Sequence, residues 1–290
     1  MAKRRMLLLG ASGYLGTQIS TACKRDQAWS FAGTCCSTPK DGLIRLDVTD
    51  EQQVGALLAE TMPEVVIWSL MSGTDEWAVM QKGLTALLDH LPQRTKLLFL
   101  STDGIFGQGT GHFSEEAQGV PLDDRNPLSV YTNAKLWGEK LIRERHGNHV
   151  IVRVGPIYGK NSSGMWDKRV SAFREQLENG AHVYRPGNLY KTFIHVEDGA
   201  AAIHELSSGS FTGTLHVGPL QKESYFSFHQ KIAKSLGWAV ELLKESAIAE
   251  EESRERGVPL DTSLDTMKAT RLLATTFRKV GDERITLPGE

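Results

Sequence analysis

Tyr131 and Lys135 lie four positions apart in a segment whose apolar spacing predicts a helix. Four residues carry a helix through roughly 400°, so the two side chains project about 40° apart and are neighbours. An adjacent ammonium stabilises a phenolate and lowers the phenol pKa from its ordinary value of about 10. The pair is suited to proton transfer to a carbonyl oxygen, although the same spacing also occurs in solvated surface pairs.

The surroundings decide between these two interpretations. About 30 residues upstream, Ser101-Thr102-Asp103 ends a predicted strand and offers a hydroxyl that could hold the same carbonyl oxygen. A long glycine-rich loop follows over residues 102–126, and open α/β sheets bind their ligands beyond such strand ends.

Gly10, Gly13 and Gly16 follow the first predicted strand and open a helix. At such a turn, glycines allow a tight bend and let backbone N–H groups approach a pyrophosphate, which the helix N-terminus also stabilises. The alternative is a plain packing turn; we favour a dinucleotide site. The cofactor-binding residues expected in this turn are Gly10, Ser12, Gly13, Tyr14, Leu15 and Gly16.

The second strand ends without the acidic residue that binds an unphosphorylated ribose, which favours NADP over NAD. Cys35, Ser37 and the ammonium of Lys40 follow instead, although Cys35 and Cys36 also suit a plain half-buried turn. Asp47 and Val48, after the third strand, either meet the adenine or cap the strand. The remaining residues expected to bind cofactor are Ser69, near the end of the fourth strand, and the pair Tyr131 and Lys135.

Short apolar runs alternate with helix-length segments, which predicts a Rossmann-like, doubly wound parallel sheet with helices on both faces. The predicted strands are 6–9, 30–34, 65–70, 97–101 and 150–154, and the predicted helices are 14–25, 50–60, 75–90 and 127–146. Residues 1–155 are expected to form the dinucleotide-binding domain, to which 192–217 return. Residues 156–191 and 218–290 are expected to form a smaller, less regular C-terminal substrate lobe.

Composition excludes several classes of protein. The 290 residues carry 33 Lys and Arg against 35 Asp and Glu, so we expect no binding of nucleic acid. No apolar stretch approaches the roughly 20 residues that cross a bilayer, so we expect no membrane association and a cytoplasmic protein. Three cysteines and nine histidines show no disulfide or metal spacing.

The sequence resembles the extended short-chain dehydrogenase/reductases, or NAD-dependent epimerase/dehydratase family. The motifs that carry this resemblance follow one another in the family's order along almost the whole chain; they are Gly10–Gly16, Leu46–Asp50, Ser101–Gly107, Tyr131–Lys135, Arg153–Gly159, Lys191–Asp198 and Leu215–Gly218. The resemblance implies proton transfer by Tyr131, carbonyl polarisation by Thr102, and both pKa depression and ribose binding by Lys135. It also implies a homodimer paired through the helix that bears Tyr131.

Within the family, the Ser-Thr-Asp segment is most similar to that of the dTDP-4-dehydrorhamnose reductases. The dehydratases carry at position 104 a glutamate that performs the elimination, and the reductases carry tyrosine, whereas this chain has Gly104. The expected function is NAD(P)H-dependent reduction of a 4-keto nucleotide sugar or similar carbonyl. The candidate cations for the substrate diphosphate are Lys160, Lys168, Arg169, Arg174, Arg185 and Lys191.

Two alternatives remain. A sugar-nucleotide epimerase would use the same tyrosine and lysine but return the hydride and keep its NAD. A non-catalytic, NADP-binding regulatory subunit, similar to that of methionine adenosyltransferase, would share the fold without turnover.

Overall fold

The computed structural model describes residues 3–36, 39–73 and 75–282. Short and long strands alternate with helices over most of this length. The strands are β1 Arg4–Leu9, β2 Trp29–Cys35, β3 Ile44–Arg45, β4 Val65–Trp68, β5 Lys96–Thr102, β6 His149–Val154, β7 Ile157–Tyr158, β8 Val183–Pro186, β9 Tyr190–Lys191, β10 Ile194–His195, β11 Gly213–Val217, β12 Glu223–Ser224 and β13 Leu243–Ser246.

The α-helices are α1 Tyr14–Arg25, α2 Glu51–Thr61, α3 Glu76–Ala78, α4 Thr85–His90, α5 Ser129–Arg145, α6 Lys168–Glu178, α7 Val196–Ser208, α8 Tyr225–Ser235, α9 Glu250–Glu255 and α10 Met267–Leu272. A π-helical segment, Val79–Leu84, joins α3 to α4 without a break. Two 3₁₀ turns cover Asp103–Ile105 and Val240–Leu242.

Seven strands form one parallel sheet in the order β11-β6-β5-β4-β1-β2-β3. The order reverses beside β1, because the chain runs outward to β3 and then crosses back to β4. This is the topological switch point at which doubly wound sheets bind ligands, beyond the carboxyl ends of the strands. The predicted Rossmann-like fold is therefore confirmed.

Both faces of the sheet are covered because its central strands are apolar on both sides. On one face, α1 and α7 contribute Ile19, Cys23 and Ile203 to a fully buried cluster with the strands. On the other face, α2, α4 and α5 pack around Trp68 and Phe99. Helix α5, which carries the tyrosine and lysine singled out above, is thus fixed against the centre of the sheet.

Glycine allows α5 to approach the sheet closely. A Cβ atom at Gly138 would lie 3.0 Å from Phe99 Cζ and 3.2 Å from Met80 Sδ, tighter than ordinary packing. Gly83 plays the same part in the π-helical segment, where a Cβ would lie 2.9 Å from Val48 Cγ1. The Gly138 contacts set how closely α5 packs on the sheet and on the π-helical segment.

After β6 the chain builds a smaller set of elements around two further clusters. Parallel strands β8 and β13 pack with α6 and α8 through Phe173, Leu177 and Val183. Helix α7 packs on α1, and β11 pairs with β6 at the edge of the main sheet. No helix within the described residues is both long and apolar enough to cross a membrane.

Candidate active site

The turn after β1 needs glycine at two of its three positions. Gly10 has a φ of +91°, and a Cβ there would lie 2.7 Å from the Ser69 carbonyl oxygen. A Cβ at Gly16 would lie 2.0 Å from the Gly10 carbonyl oxygen, so any side chain would force the turn open. The Gly13 N–H closes the turn by donating to the same Gly10 oxygen at 3.1 Å.

Helix α1 begins at this turn without a side-chain cap, because its N-cap residue is Gly13. The N–H groups of the first helical turn, including those of Tyr14 and Leu15, are therefore available to an anion, which the helix dipole also favours. Leu15 packs against the core, and the Tyr14 hydroxyl donates to the Gly159 carbonyl at 2.7 Å. These features fit the pyrophosphate of a dinucleotide.

The end of β2 supplies no carboxylate within the described residues. Cys35 is buried and Cys36 is exposed, while Ser37 lies outside the described residues. The Gly10 N–H donates to Thr34 Oγ1 at 3.2 Å, which ties β2 to the glycine turn. Lys40 reaches back to the same turn, where its ammonium donates to the Ser12 carbonyl oxygen at 3.4 Å.

The residues expected around the adenine are partly committed to the fold. Asp47 is exposed, and its carboxylate accepts from the Thr49 N–H at 2.9 Å and the Thr49 hydroxyl at 2.7 Å, as a turn cap does. Val48 is buried in the core against Gly83 of the π-helical segment. Ser69 is half-buried and continues β4 by donating its N–H to the Leu9 carbonyl. Contact of these residues with a cofactor stays a prediction.

The fold brings Tyr131, Lys135 and Thr102 together at the carboxyl end of β5. The Lys135 ammonium lies 5.9 Å from the centre of the Tyr131 ring, and the Thr102 hydroxyl is close enough to the Tyr131 phenol to act on its pKa. Lys135 is buried and donates to the carbonyl oxygens of Leu70 at 3.0 Å and Leu100 at 2.9 Å. The neighbourhood predicted from two separate segments, α5 and the end of β5, is therefore present.

The expected lowering of the Tyr131 pKa is wrong. Burial raises the pKa of this phenol well above its ordinary value; the charges of Glu76 and Asp103 raise it further, and the Thr102 hydroxyl opposes them. Burial also lowers the pKa of Lys135 to about 8. The sequence shows the neighbouring ammonium but not the desolvation, which is the larger effect on both groups.

A cluster that the sequence did not predict lies directly beside Thr102. Asp103 is buried and forms an ion pair with Lys191, at 3.2 Å between Oδ2 and Nζ. The Thr262 hydroxyl donates to the same carboxylate oxygen at 2.5 Å and accepts from Lys191 at 2.5 Å. Because Thr262 is 159 positions away from Asp103, no local pattern could have revealed this contact.

Packing against α5 accounts for the glycine at position 104. A Cβ there would lie 2.4 Å from Thr132 Cγ2, so neither the glutamate nor the tyrosine expected from the family fits unless the Thr132 side chain or the helix moves. The Gly104 N–H donates to Thr102 Oγ1 at 3.1 Å and so orients the candidate catalytic hydroxyl. A dehydratase needs an acidic side chain at this position for the elimination, and Gly104 provides none.

A buried ionic cluster supports α5 one helical turn beyond Lys135. Glu139 accepts from Arg153 at 2.8 Å, from Arg143 at 2.7 Å and from the Ser101 hydroxyl at 2.5 Å. Arg153 also donates to His216 Nε2 at 3.2 Å. The four-residue spacing from Lys135 to Glu139 is the one signal in the sequence that could have located this cluster.

Three of the six candidate substrate cations line one pocket of about 420 Å³ between α6, β8 and α8. Lys168, Arg169 and Arg185 surround it together with Tyr225 and His229. The other candidates have different surroundings: Arg174 pairs with Glu178 at 2.7 Å, Lys191 with Asp103, and Lys160 pairs through its backbone with Trp166.

His195, at the end of β10, caps α7 by accepting the Glu197 N–H on Nδ1 at 3.3 Å. The ring also packs edge-on against Tyr158, with the centroids 5.3 Å apart. This is a structural role.

Comparison with known proteins gives a consistent result. The family model described as the NAD dependent epimerase/dehydratase family matches residues 6–210. A probable low-salt glycan biosynthesis reductase from Haloferax volcanii is 26% identical over an alignment of 286 residues that covers 88% of each chain. Methionine adenosyltransferase 2 subunit beta from Xenopus laevis is 25% identical over 166 residues, 54% of this chain and 48% of that protein, so the chain spans about half the length of that relative.

Among solved structures, a dTDP-4-dehydrorhamnose reductase from Bacillus anthracis, crystallised with NADP, has a TM-score of 0.78 and 20% identity. The superposition covers 98% of this chain and 97% of that one. This likeness shows the fold.

Proposed function

Because the chain belongs to the NAD-dependent epimerase/dehydratase family, we propose that it is an NAD(P)H-dependent reductase of a keto group in a nucleotide sugar or similar carbonyl compound. The observation that carries this proposal is the meeting of Tyr131, Thr102 and Lys135 at the edge of the sheet where β1 ends in an uncapped glycine turn. A nicotinamide dinucleotide bound there would supply the hydride.

Each of the three side chains has a distinct part in the reduction. The Tyr131 hydroxyl gives its proton to the carbonyl oxygen of the substrate, and burial keeps this phenol protonated at neutral pH by raising its pKa. The Thr102 hydroxyl donates a hydrogen bond to the same oxygen as negative charge develops on it. The Lys135 ammonium stabilises the phenolate that Tyr131 becomes.

The cofactor would be held by the glycine turn and the first turn of α1, with NADP preferred over NAD. Two features support this preference: the end of β2 lacks a carboxylate within the described residues, and the Lys40 ammonium lies at the glycine turn. A positive charge there would attract a phosphate on the adenosine ribose, which a carboxylate would repel.

The pocket between α6 and α8 supports an anionic substrate. Arg169 forms an ion pair with Asp167 at 3.4 Å, but no acidic residue lines the pocket itself, so Lys168 and Arg185 add positive charge there without an acidic neighbour in the lining. His229 adds no charge at neutral pH, because burial lowers its pKa to about 4, with Arg185 and Arg169 acting in the same direction. A diphosphate would therefore be attracted to the pocket, as it would in a nucleotide sugar.

Two steps test the proposed reduction. Titration with NADH and NADPH comes first, followed by a panel of 4-keto nucleotide sugars with NADPH oxidation as the signal. Tyr131→Phe should lower kcat/KM by at least about 100-fold and keep cofactor affinity, since acid-base assistance contributes roughly 10²–10⁴-fold. Tyr184→Phe, which makes the same change at an exposed tyrosine, is the matched control.

Normal turnover by Tyr131→Phe would remove this residue as the acid. Turnover of a sugar with no net oxidation of NADPH would show epimerisation in place of reduction.

A regulatory subunit is the second candidate function, and the similarity to methionine adenosyltransferase 2 subunit beta favours it. Cofactor binding without turnover across the sugar panel, together with capture of a partner enzyme, would support it. A homodimer paired through α5 belongs to the first proposal and is checked by sedimentation of the purified protein.

A further inference from the structure

Glu76, the first residue of α3, is a buried carboxylate on a helix that packs directly against α5, the helix that carries the proposed catalytic pair. It is 5% exposed, and its Oε1 accepts the Gly73 N–H at 2.9 Å. Its Oε2 is sealed from solvent and has no hydrogen-bonding partner within the described part of the chain. A buried carboxylate with one oxygen unsatisfied costs free energy, which a positive charge close to it would offset.

Lys135 is a buried cation whose hydrogen bonds do not balance its positive charge. It is 2% exposed, and its ammonium donates to two neutral backbone carbonyls, which satisfy two of its three N–H groups but do not balance its charge. The other negative group that acts on it, Glu139, is already compensated by the guanidinium groups of Arg153 and Arg143. Glu76 is the second carboxylate that acts on Lys135. No cation among the described residues forms a direct ion pair with Glu76.

We propose that Glu76 is a positioning residue of the active site, whose carboxylate is the counter-charge that keeps the buried Lys135 side chain an ammonium at neutral pH. This role of Glu76 in catalysis rests on the proposed reduction, in which a charged Lys135 stabilises the phenolate of Tyr131. A neutral amine could not do so.

The direction of the pKa shifts agrees with this assignment. Burial lowers the pKa of Lys135 to about 8, and the charges of Glu76 and then Glu139 oppose that lowering. Glu76 also acts on Tyr131, whose pKa is raised first by burial, then by Glu76, and then by Asp103. One negative charge thus favours both the ammonium of Lys135 and the proton-bearing form of Tyr131.

The test is a titration of Lys135 by ¹³C NMR of labelled lysine ε-carbons, with Lys135→Met used to assign the resonance. Glu76→Gln keeps the size of the side chain and an oxygen for the Gly73 N–H but removes the charge. Its Lys135 midpoint should fall from about 8 by about one pH unit, a roughly tenfold change in acidity. Asp75→Asn is the matched control: it removes a charge at the adjacent, exposed N-cap position and should leave the midpoint unchanged.

An unchanged midpoint in Glu76→Gln, or an equal shift in Asp75→Asn, would overturn the inference. Glu76→Asp retains the charge and should stay closer to the wild-type midpoint than the variants that remove it. If Glu76→Gln does not fold, Glu76→Leu, which also removes the charge, takes its place and should show the same fall. The titration needs no substrate, so it stands even if the sugar panel shows no turnover. Where turnover is found, the alkaline limb of kcat should move to lower pH in Glu76→Gln.

Discussion

Replacing Arg153 by methionine should destabilise the whole protein, because it removes the main partner of the buried Glu139 carboxylate. Arg153 and Glu139 are 2% and 0% exposed, and the guanidinium makes close contacts with both carboxylate oxygens, at 3.0 Å and 2.8 Å. Burial raises the pKa of Glu139, but hydrogen bonding and charge from Arg153, together with Ser101 and Arg143, outweigh it, so that the net pKa is lowered. The variant would leave this carboxylate ionised in the core without its main partner.

The expected loss in free energy of unfolding is about 3 kcal/mol. Breaking a fully buried pair by removing one partner costs about 3–5 kcal/mol. The lower end applies because Arg143, which is 38% exposed, still reaches Glu139 at 2.7 Å, and Ser101 still donates to it. His216 would also lose a hydrogen bond, because its Nε2 accepts from the Arg153 guanidinium.

Urea unfolding followed by circular dichroism measures this loss, and a double-mutant cycle separates the pair from its surroundings. Arg143→Met, which removes the more exposed partner, should cost no more than about 1 kcal/mol. Glu139→Leu combined with Arg153→Met should cost clearly less than the two single changes added together, because no unpaired charge is then buried. Additive losses, or an Arg153→Met variant as stable as the wild type, would refute this account of the cluster.

Three further changes follow from the same contacts. Gly16→Ala should cost about 2 kcal/mol or more of stability by straining the turn at Gly10, and Gly13→Ala, whose Cβ would meet only one atom at 3.4 Å, should cost less. Arg185→Gln should raise the KM for a nucleotide sugar about tenfold with kcat kept, because a charged contact to phosphate is lost. Burial lowers the pKa of His216 to about 4 from 6.5, so the unfolded state binds more protons between these values. Stability should therefore fall by up to about 3 kcal/mol as the pH drops through that range, and His216→Gln should flatten this slope in urea titrations.

The sheet and its crossover helices could be predicted from sequence because their signals are local. Apolar runs and helix-length segments place α1 at the same bounds as the structure, and α5 within two residues of them. One departure is the π-helical segment Val79–Leu84, which widens an otherwise continuous helix. It lies where Gly83 packs against Val48, a long-range contact that helical periodicity does not report.

The electrostatics of the site could not be predicted, because they depend on burial. Glu76 follows an exposed aspartate at a helix start, where an acidic residue ordinarily serves only the helix dipole. Nothing local indicates that its side chain is enclosed beside Lys135. The same limit explains why a nearby ammonium suggested a lowered pKa for Tyr131, when desolvation acts in the opposite direction and is larger.

The spacing along α5 links the chemistry of the site to the stability of the fold. Tyr131, Lys135, Glu139 and Arg143 are four residues apart, so each step rotates the side chain by about 40° around the helix. Along this row of side chains, Tyr131 is half-buried, Lys135 and Glu139 lie in the core, and Arg143 is partly exposed. Because Glu139 both anchors the helix and acts on Lys135, a change at Glu139 should lower stability and the Lys135 pKa together. A change at Glu76, whose side chain makes one hydrogen bond, to the Gly73 N–H, among the described residues, should move the Lys135 pKa with much less loss of stability.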